Sequence, residues 1–154
     1  MRSLRPPATR TKKPALRSAV SIFTPRSRWH AESRAVSRVL HRALPRAPRA
    51  VEVHLITAGA MRELNRRWRG TDAPTTVLSF ESRSVFPRPG VPRGIRYIGE
   101  IYLAPAIIKT RGEGIERYAL HGLLHLLGYT HAGKRDTMKM EAKEREILSK
   151  ISNT

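Results

Sequence analysis

Three histidines fall within eleven residues, in the run His121-Gly-Leu-Leu-His125-Leu-Leu-Gly128-Tyr-Thr-His131. The segment around them, Ile115–Leu127, carries Ile115, Ala119, Leu120, Leu123, Leu124, Leu126 and Leu127. On a helix these residues are apolar nearly all round, so the helix has to be buried. His121 and His125 are four apart and leave one face, one turn apart. Each buried polar group without a partner costs on the order of 1–3 kcal/mol, so two imidazoles in this setting need a shared solution. Gly128 can end the helix in the left-handed conformation and turn the chain back, which lets His131 approach the same point. Three neutral imidazoles around one point form a zinc site with a fourth position open to water. Such a site predicts hydrolysis, because the metal lowers the pKa of bound water toward ~7.

The spacing H-x3-H-x5-H also occurs in zinc proteases that place a glutamate beside the first histidine as general base. Gly122 stands there in this chain. Glycine cannot move a proton, so the metal cage is kept and the peptidase base is missing.

A chain of 154 residues is long enough for one domain with a real core. Its net charge of +18 is the electrostatic footprint of a polyanion binder, and its arginines suit bidentate phosphate contacts. The charge is uneven: Glu32 is the single acid in residues 1–50. Residues 1–18 are rich in Pro, Arg and Ser and lack apolar periodicity, and read as a disordered basic arm. A transit peptide is the competing reading of that arm, which leaves a cytoplasmic location with an organellar alternative. No apolar run is long enough to span a membrane, and no signal-peptide core is present. The chain has no cysteine, which excludes disulfides and zinc–thiolate sites.

Ser18–Phe23 reads as a first strand. Thr24-Pro25 has the form of a helix start, with threonine as cap and proline at the first helical position. Trp29, Val36, Val39, Leu40, Ala43 and Leu44 make one face of that helix, and Pro45 stops it. Val51–Ile56 alternates as a strand. Thr57 caps a second helix with Met61, Leu64 and Trp68 on its inner face. Pro74–Phe80 turns into a short strand. Glu81–Arg96 reads as an exposed loop or wide hairpin, and Tyr97–Leu103 as another strand. After the histidine helix, a last helix over Asp136–Ile151 has a core stripe of Met140, Ile147, Leu148 and Ile151. His30, His41 and His54 are scattered and read as surface or core residues. The order predicts an α+β fold: a single domain with a small mixed sheet of about four strands packed with helices, its zinc site on a buried helix and the following loop.

Three blocks then point to a family. HGLLHLLGYTH resembles the H-G-x-L-H-L-x-G-Y-D-H motif of YbeY-type rRNA maturation factors, which are metal-dependent endoribonucleases. Leu64 to Phe80, LNRRWRGTDAPTTVLSF, is similar to that family's L-N-x-x-(Y/W)-R-x-x-D-x-P-T-D-V-L-S-F-P. Ile98-Gly99-Glu100-Ile101 resembles its L-G-D-I. The blocks occur in the family's order, and the resemblance covers about residues 20–151 within a domain spanning 19–154. It implies a four-stranded sheet with helices, one zinc per chain held by His121, His125 and His131, and Arg69 as the essential basic residue lining the cleft. It also implies a single-strand-specific endoribonuclease acting on ribosomal RNA of the small subunit, in 3′-end maturation and ribosome quality control. Neither DNA nor a membrane is an expected partner.

The chain departs from the family at three acids. Thr76 and Thr130 stand where aspartates are usual, which removes negative charge and the kind of acceptor that orients a metal ligand. Glu100 keeps the charge of the family aspartate and reaches one methylene further. It is the candidate acid on a motif strand, with a structural hydrogen bond as its plainer reading. A second function remains beside the nuclease: a non-catalytic rRNA-binding assembly factor with a structural zinc, whose basic arm supplies affinity through counterion release.

Overall fold

The computed structural model describes residues 15–25, 28–84 and 88–153. Most of the expected arm, residues 1–14, lies outside the described residues. The chain forms one mixed sheet in the order β1-β2-β4-β3. β1 (Ala19–Phe23) runs parallel to β2 (Arg49–Leu55), and β2 runs parallel to β4 (Arg96–Leu103). β3 (Val77–Glu81) pairs antiparallel with β4, so the Glu81–Arg96 connection is a wide hairpin.

Period-two alternation divides the two faces of the sheet. Val51, Val53 and Leu55 of β2 and Ile101 and Leu103 of β4 point into the main core, each no more than 1% exposed. Three helices close that face: α1 (His30–Ala43), α4 (Ile115–Leu126) and α5 (Lys134–Ser152). Val36, Val39 and Leu40 of α1 meet Leu120 and Leu123 of α4 in one cluster with Met140 of α5. The opposite face carries Leu78, Phe80 and Tyr102, and α2 (Ala58–Arg69) covers part of it with the fully buried Met61. Thr57 caps α2, its hydroxyl accepting from the Ala60 N–H at 3.2 Å. No helix among the described residues is long and apolar enough to cross a membrane.

The expected elements are present with three corrections. α1 begins at His30 rather than at Thr24-Pro25: Trp29 precedes it with φ of 58°, a left-handed turn that separates β1 from the helix. Trp68 does not lie on an inner face. It is 64% exposed at the end of α2, with its ring tilted against Phe80 at a centroid distance of 5.5 Å. A short helix, α3 (Pro105–Thr110), follows β4 and was not anticipated, although Pro105 at its first turn is the usual mark of such a start.

Glycine is required at two places in the sheet region. Gly99 lies beside an irregularity in the β2–β4 register and has φ of 143°. A Cβ there would run into the backbone carbonyl of Phe80 on β3. Gly122 of α4 faces the sheet, where a Cβ would stand 2.9 Å from Ile101 and 3.3 Å from Val77. The helix can therefore approach the strands closely, and the residue beside His121 points into the core.

Candidate metal centre

α4 carries His121 and His125 one turn apart, with the His121 ring toward Glu144 of α5 and the His125 ring toward the turn that follows. The helix ends as expected: Gly128 has φ of 100°, and the Tyr129 N–H reaches back to the Leu124 carbonyl at 3.0 Å. That reversal returns the chain, and His131 arrives beside the helix. The Nε2 atoms of His125 and His131 each lie 3.1 Å from Nε2 of His121. The three nitrogens all fall within 4.8 Å of one another. His121 and His125 are half-buried and His131 is exposed, so the cluster opens to solvent on one side.

The other ring nitrogens decide what this cluster can hold. Nδ1 of His121 lies 2.7 Å from Oε1 of Glu144 on α5, and Nδ1 of His125 lies 3.0 Å from the Tyr129 carbonyl. A carboxylate and a carbonyl only accept, so both Nδ1 atoms carry the proton. In the neutral rings both Nε2 atoms then present bare lone pairs, and two acceptors 3.1 Å apart repel each other. A cation between them removes the repulsion. Three imidazole nitrogens at this spacing are within reach of one zinc ion at the usual ~2.0–2.1 Å. The residues thus fit the group the sequence calls for.

Glu144 is the functional residue that the sequence analysis missed. It is buried to 7% exposure on α5, between the core residues Met140 and Ile147. An acid within an apolar helical stripe was the available signal. It supplies the orienting acceptor that Thr130, which is exposed, does not provide here.

Burial first, then the nearby His121, holds the His125 imidazole below its ordinary range. The fold therefore favours neutral His125, and that contribution is complete above the unfolded value of ~6.5 and lost as pH falls through the lower folded value. Protons and metal compete for the same nitrogen. Zinc affinity should accordingly be level through neutral pH and fall in acid, as pH drops through the lowered folded value of His125. Competition with a chromogenic chelator across that range measures it, and tighter binding in acid would contradict the ligand assignment.

Arg69 stands at the exposed end of α2. Its neighbours are engaged: Arg62 clamps Asp72 through two bonds of 2.8 and 2.9 Å, and Arg66 pairs with Glu63. Asn65 donates to the Ala73 carbonyl at 2.8 Å, which fixes the turn after the helix. No hydrogen bond or ion pair within the described residues holds Arg69 or joins it to the triad.

Glu100 lies on the sheet face opposite to Ile101, and hence away from α4. It accepts from the Tyr102 hydroxyl at 2.9 Å and from Tyr97 at 3.4 Å. Burial, then this bond to Glu100, pushes the Tyr102 hydroxyl up to about 12. Arg88 bridges Glu100 and Glu52 at 3.3 and 3.1 Å and lies 4.1 Å from the centre of the Tyr97 ring. Glu52, His54 and Glu100 make a second group with metal-ligand chemistry, but an arginine already balances its two carboxylates. His54 is stacked between Phe23 and Tyr102 at 4.9 and 4.6 Å, a cross-strand ladder that stabilises the sheet. His30 and His41 are exposed on α1, away from this cluster.

The family model described as Endoribonuclease YbeY matches residues 24–152. The Endoribonuclease YbeY of Nitrobacter hamburgensis is 30% identical over 155 residues, covering 90% of this chain and 80% of that protein. That of Moorella thermoacetica is 37% identical over 112 residues, covering 66% of this chain and 72% of that protein. That of Chromohalobacter salexigens is 36% identical over 107 residues, covering 64% of this chain and 66% of that protein. The solution structure of TM1509 from Thermotoga maritima superposes with a TM-score of 0.53 at 23% identity, covering 88% of this chain and 93% of that one, a likeness of fold. Because the matched stretch runs from the turn after β1 to the end of α5 and takes in all three histidines, the chain belongs to the YbeY endoribonuclease family.

Proposed function

We propose that this protein is a zinc-dependent endoribonuclease that cleaves single-stranded regions of ribosomal RNA and matures the 3′ end of small-subunit rRNA. The observation that carries the reading is the pair of imidazoles fixed as Nδ1–H donors, with bare Nε2 atoms 3.1 Å apart. A zinc ion held by His121, His125 and His131 supplies a Lewis acid and water of lowered pKa for phosphodiester hydrolysis. The chain's own residues supply the rest. Glu144 and the Tyr129 carbonyl hold the two helical imidazoles in orientation and tautomer. The exposed side of the cluster, at His131, leaves room for a polymer to enter. Arg69, which no carboxylate among the described residues neutralises, binds a phosphate through its planar fork and stabilises the charge that grows on the phosphoryl oxygens.

The second reading, an assembly factor with a structural zinc, has one observation in its favour. Glu144 is engaged with His121, and Glu100 faces away from the cluster, so neither serves as a ready general base. Cleavage of purified small-subunit precursor RNA separates the two. The nuclease reading expects cleavage that stops on chelation and returns with zinc. It also expects Arg69→Lys, which keeps charge and loses the fork, to be slower by about tenfold, the effect of ~1.4 kcal/mol at the transition state. Binding without cleavage by the wild type would leave the assembly factor. Cleavage by Arg69→Lys within twofold of wild type would remove Arg69 from the reaction.

A further inference from the structure

The metal cluster is not the only feature at this end of the molecule. Behind it, between the end of α1 and α5, lies a groove of about 600 Å³. Arg42, Arg46 and Arg49 line one side, and Lys143 and Lys150 line the other. Its floor is apolar, formed by the buried Leu124 and Ile147 and the half-buried Leu127 and Tyr129. Glu146 is the one acid among its lining residues, and it is bonded to Lys150 at 2.8 Å and Lys143 at 2.9 Å. The arginine side therefore faces the groove with no acid of its own there.

We propose that this groove seats the phosphate backbone of a single RNA strand that continues from the metal cluster. The inference rests on the RNA reading above and extends it to a second contact surface. Two observations connect groove and cluster. Tyr129, which lines the groove, gives its carbonyl to His125. α5 presents Lys143 to the groove and the adjacent Glu144 to His121. A strand passing the exposed His131 thus meets a channel with cationic walls and an apolar floor. This combination takes phosphates on its rim and bases against its floor, as single-strand binding surfaces do.

The test is a salt titration of binding to a fluorescent oligouridylate, using the full chain loaded with zinc. Arg42 and Arg46 are exposed, so Arg42→Gln/Arg46→Gln should fold and keep its zinc. Its plot of log Kd against log salt should be flatter than wild type by about 1.4, at ~0.7 per lost phosphate contact on a single strand. Lys109→Gln/Arg111→Gln removes the same charge from exposed positions that do not line the groove, and should leave the slope unchanged. Equal flattening in both variants would overturn the groove and leave only diffuse charge. Wild-type slope in the Arg42/Arg46 variant would overturn it as well. If the wild type bound no oligouridylate even at low salt, the RNA reading would fall, and the groove with it. If circular dichroism shows that Arg42→Gln/Arg46→Gln has unfolded, the single variants Arg42→Gln and Arg46→Gln decide: a slope flatter by about 0.7 in each upholds the groove, and a wild-type slope in both overturns it.

Discussion

His125→Ala is expected to release zinc and to reduce RNA cleavage by at least about 100-fold, equivalent to ~2.7 kcal/mol of transition-state stabilisation. His125 is the central member of the site in a physical sense. It is more sheltered than His131, its Nδ1 is tied to the turn that ends α4, and its Nε2 faces that of His121 at 3.1 Å. Alanine removes one of three nitrogens and leaves two ligands, fewer than a stable catalytic zinc site uses. The Tyr129 carbonyl also loses its donor, but water can replace it at this half-open position. The fold should therefore survive while the metal is lost. Metal analysis by mass spectrometry and cleavage of precursor RNA read the two effects separately. Full zinc content in the variant would mean that the ligand set is wrong. Zinc lost with cleavage intact would mean that the metal is not part of the reaction.

The largest effect on stability is expected at Gly99. Its φ of 143° belongs to glycine, and an added Cβ meets a backbone oxygen on the neighbouring strand rather than a side chain that could swing aside. Conformational strain of this kind costs ~1–3 kcal/mol, and the β3–β4 pairing must in addition shift to clear the clash. Gly99→Ala should lose about 3 kcal/mol or more. In a domain of this size that lowers Tm by roughly 6–12 °C in calorimetry. A Tm within about 2 °C of wild type would show that β3 can move at little cost.

The three histidines were legible in the sequence because local geometry brings them together. Two share a helix face, and a glycine reverses the chain for the third, so no distant pairing had to be known. The strand over Val51–Ile56 was legible for the same reason, since alternation is a local signal. Glu144 was not, because its partner His121 is 23 residues away and only the packing of α5 on α4 joins them. The place of Glu100 depended on which sheet face α4 covers, and a strand's alternation does not say which of its two faces receives the histidine helix. The start of α1 failed on a competing choice: Thr-Pro is a good helix opening, but the chain uses Pro25 in a turn, where the Arg28 N–H reaches the Pro25 carbonyl at 3.2 Å. Trp68 continued the stripe of Met61 and Leu64, yet α2 runs past its cover there, and periodicity alone does not report where a neighbour ends.

The bond from His121 to Glu144 also bears on when the protein becomes competent during its synthesis. α4 and the turn carrying His131 leave the ribosome before α5, so a nascent chain presents three histidines while His121 still lacks its acceptor. Only when α5 has emerged and docked does Glu144 fix that ring. A product ending before residue 144 would retain all three ligating side chains and lack the acceptor that orients His121. Abortive translation products of this length would thus hold a metal less well than the full chain.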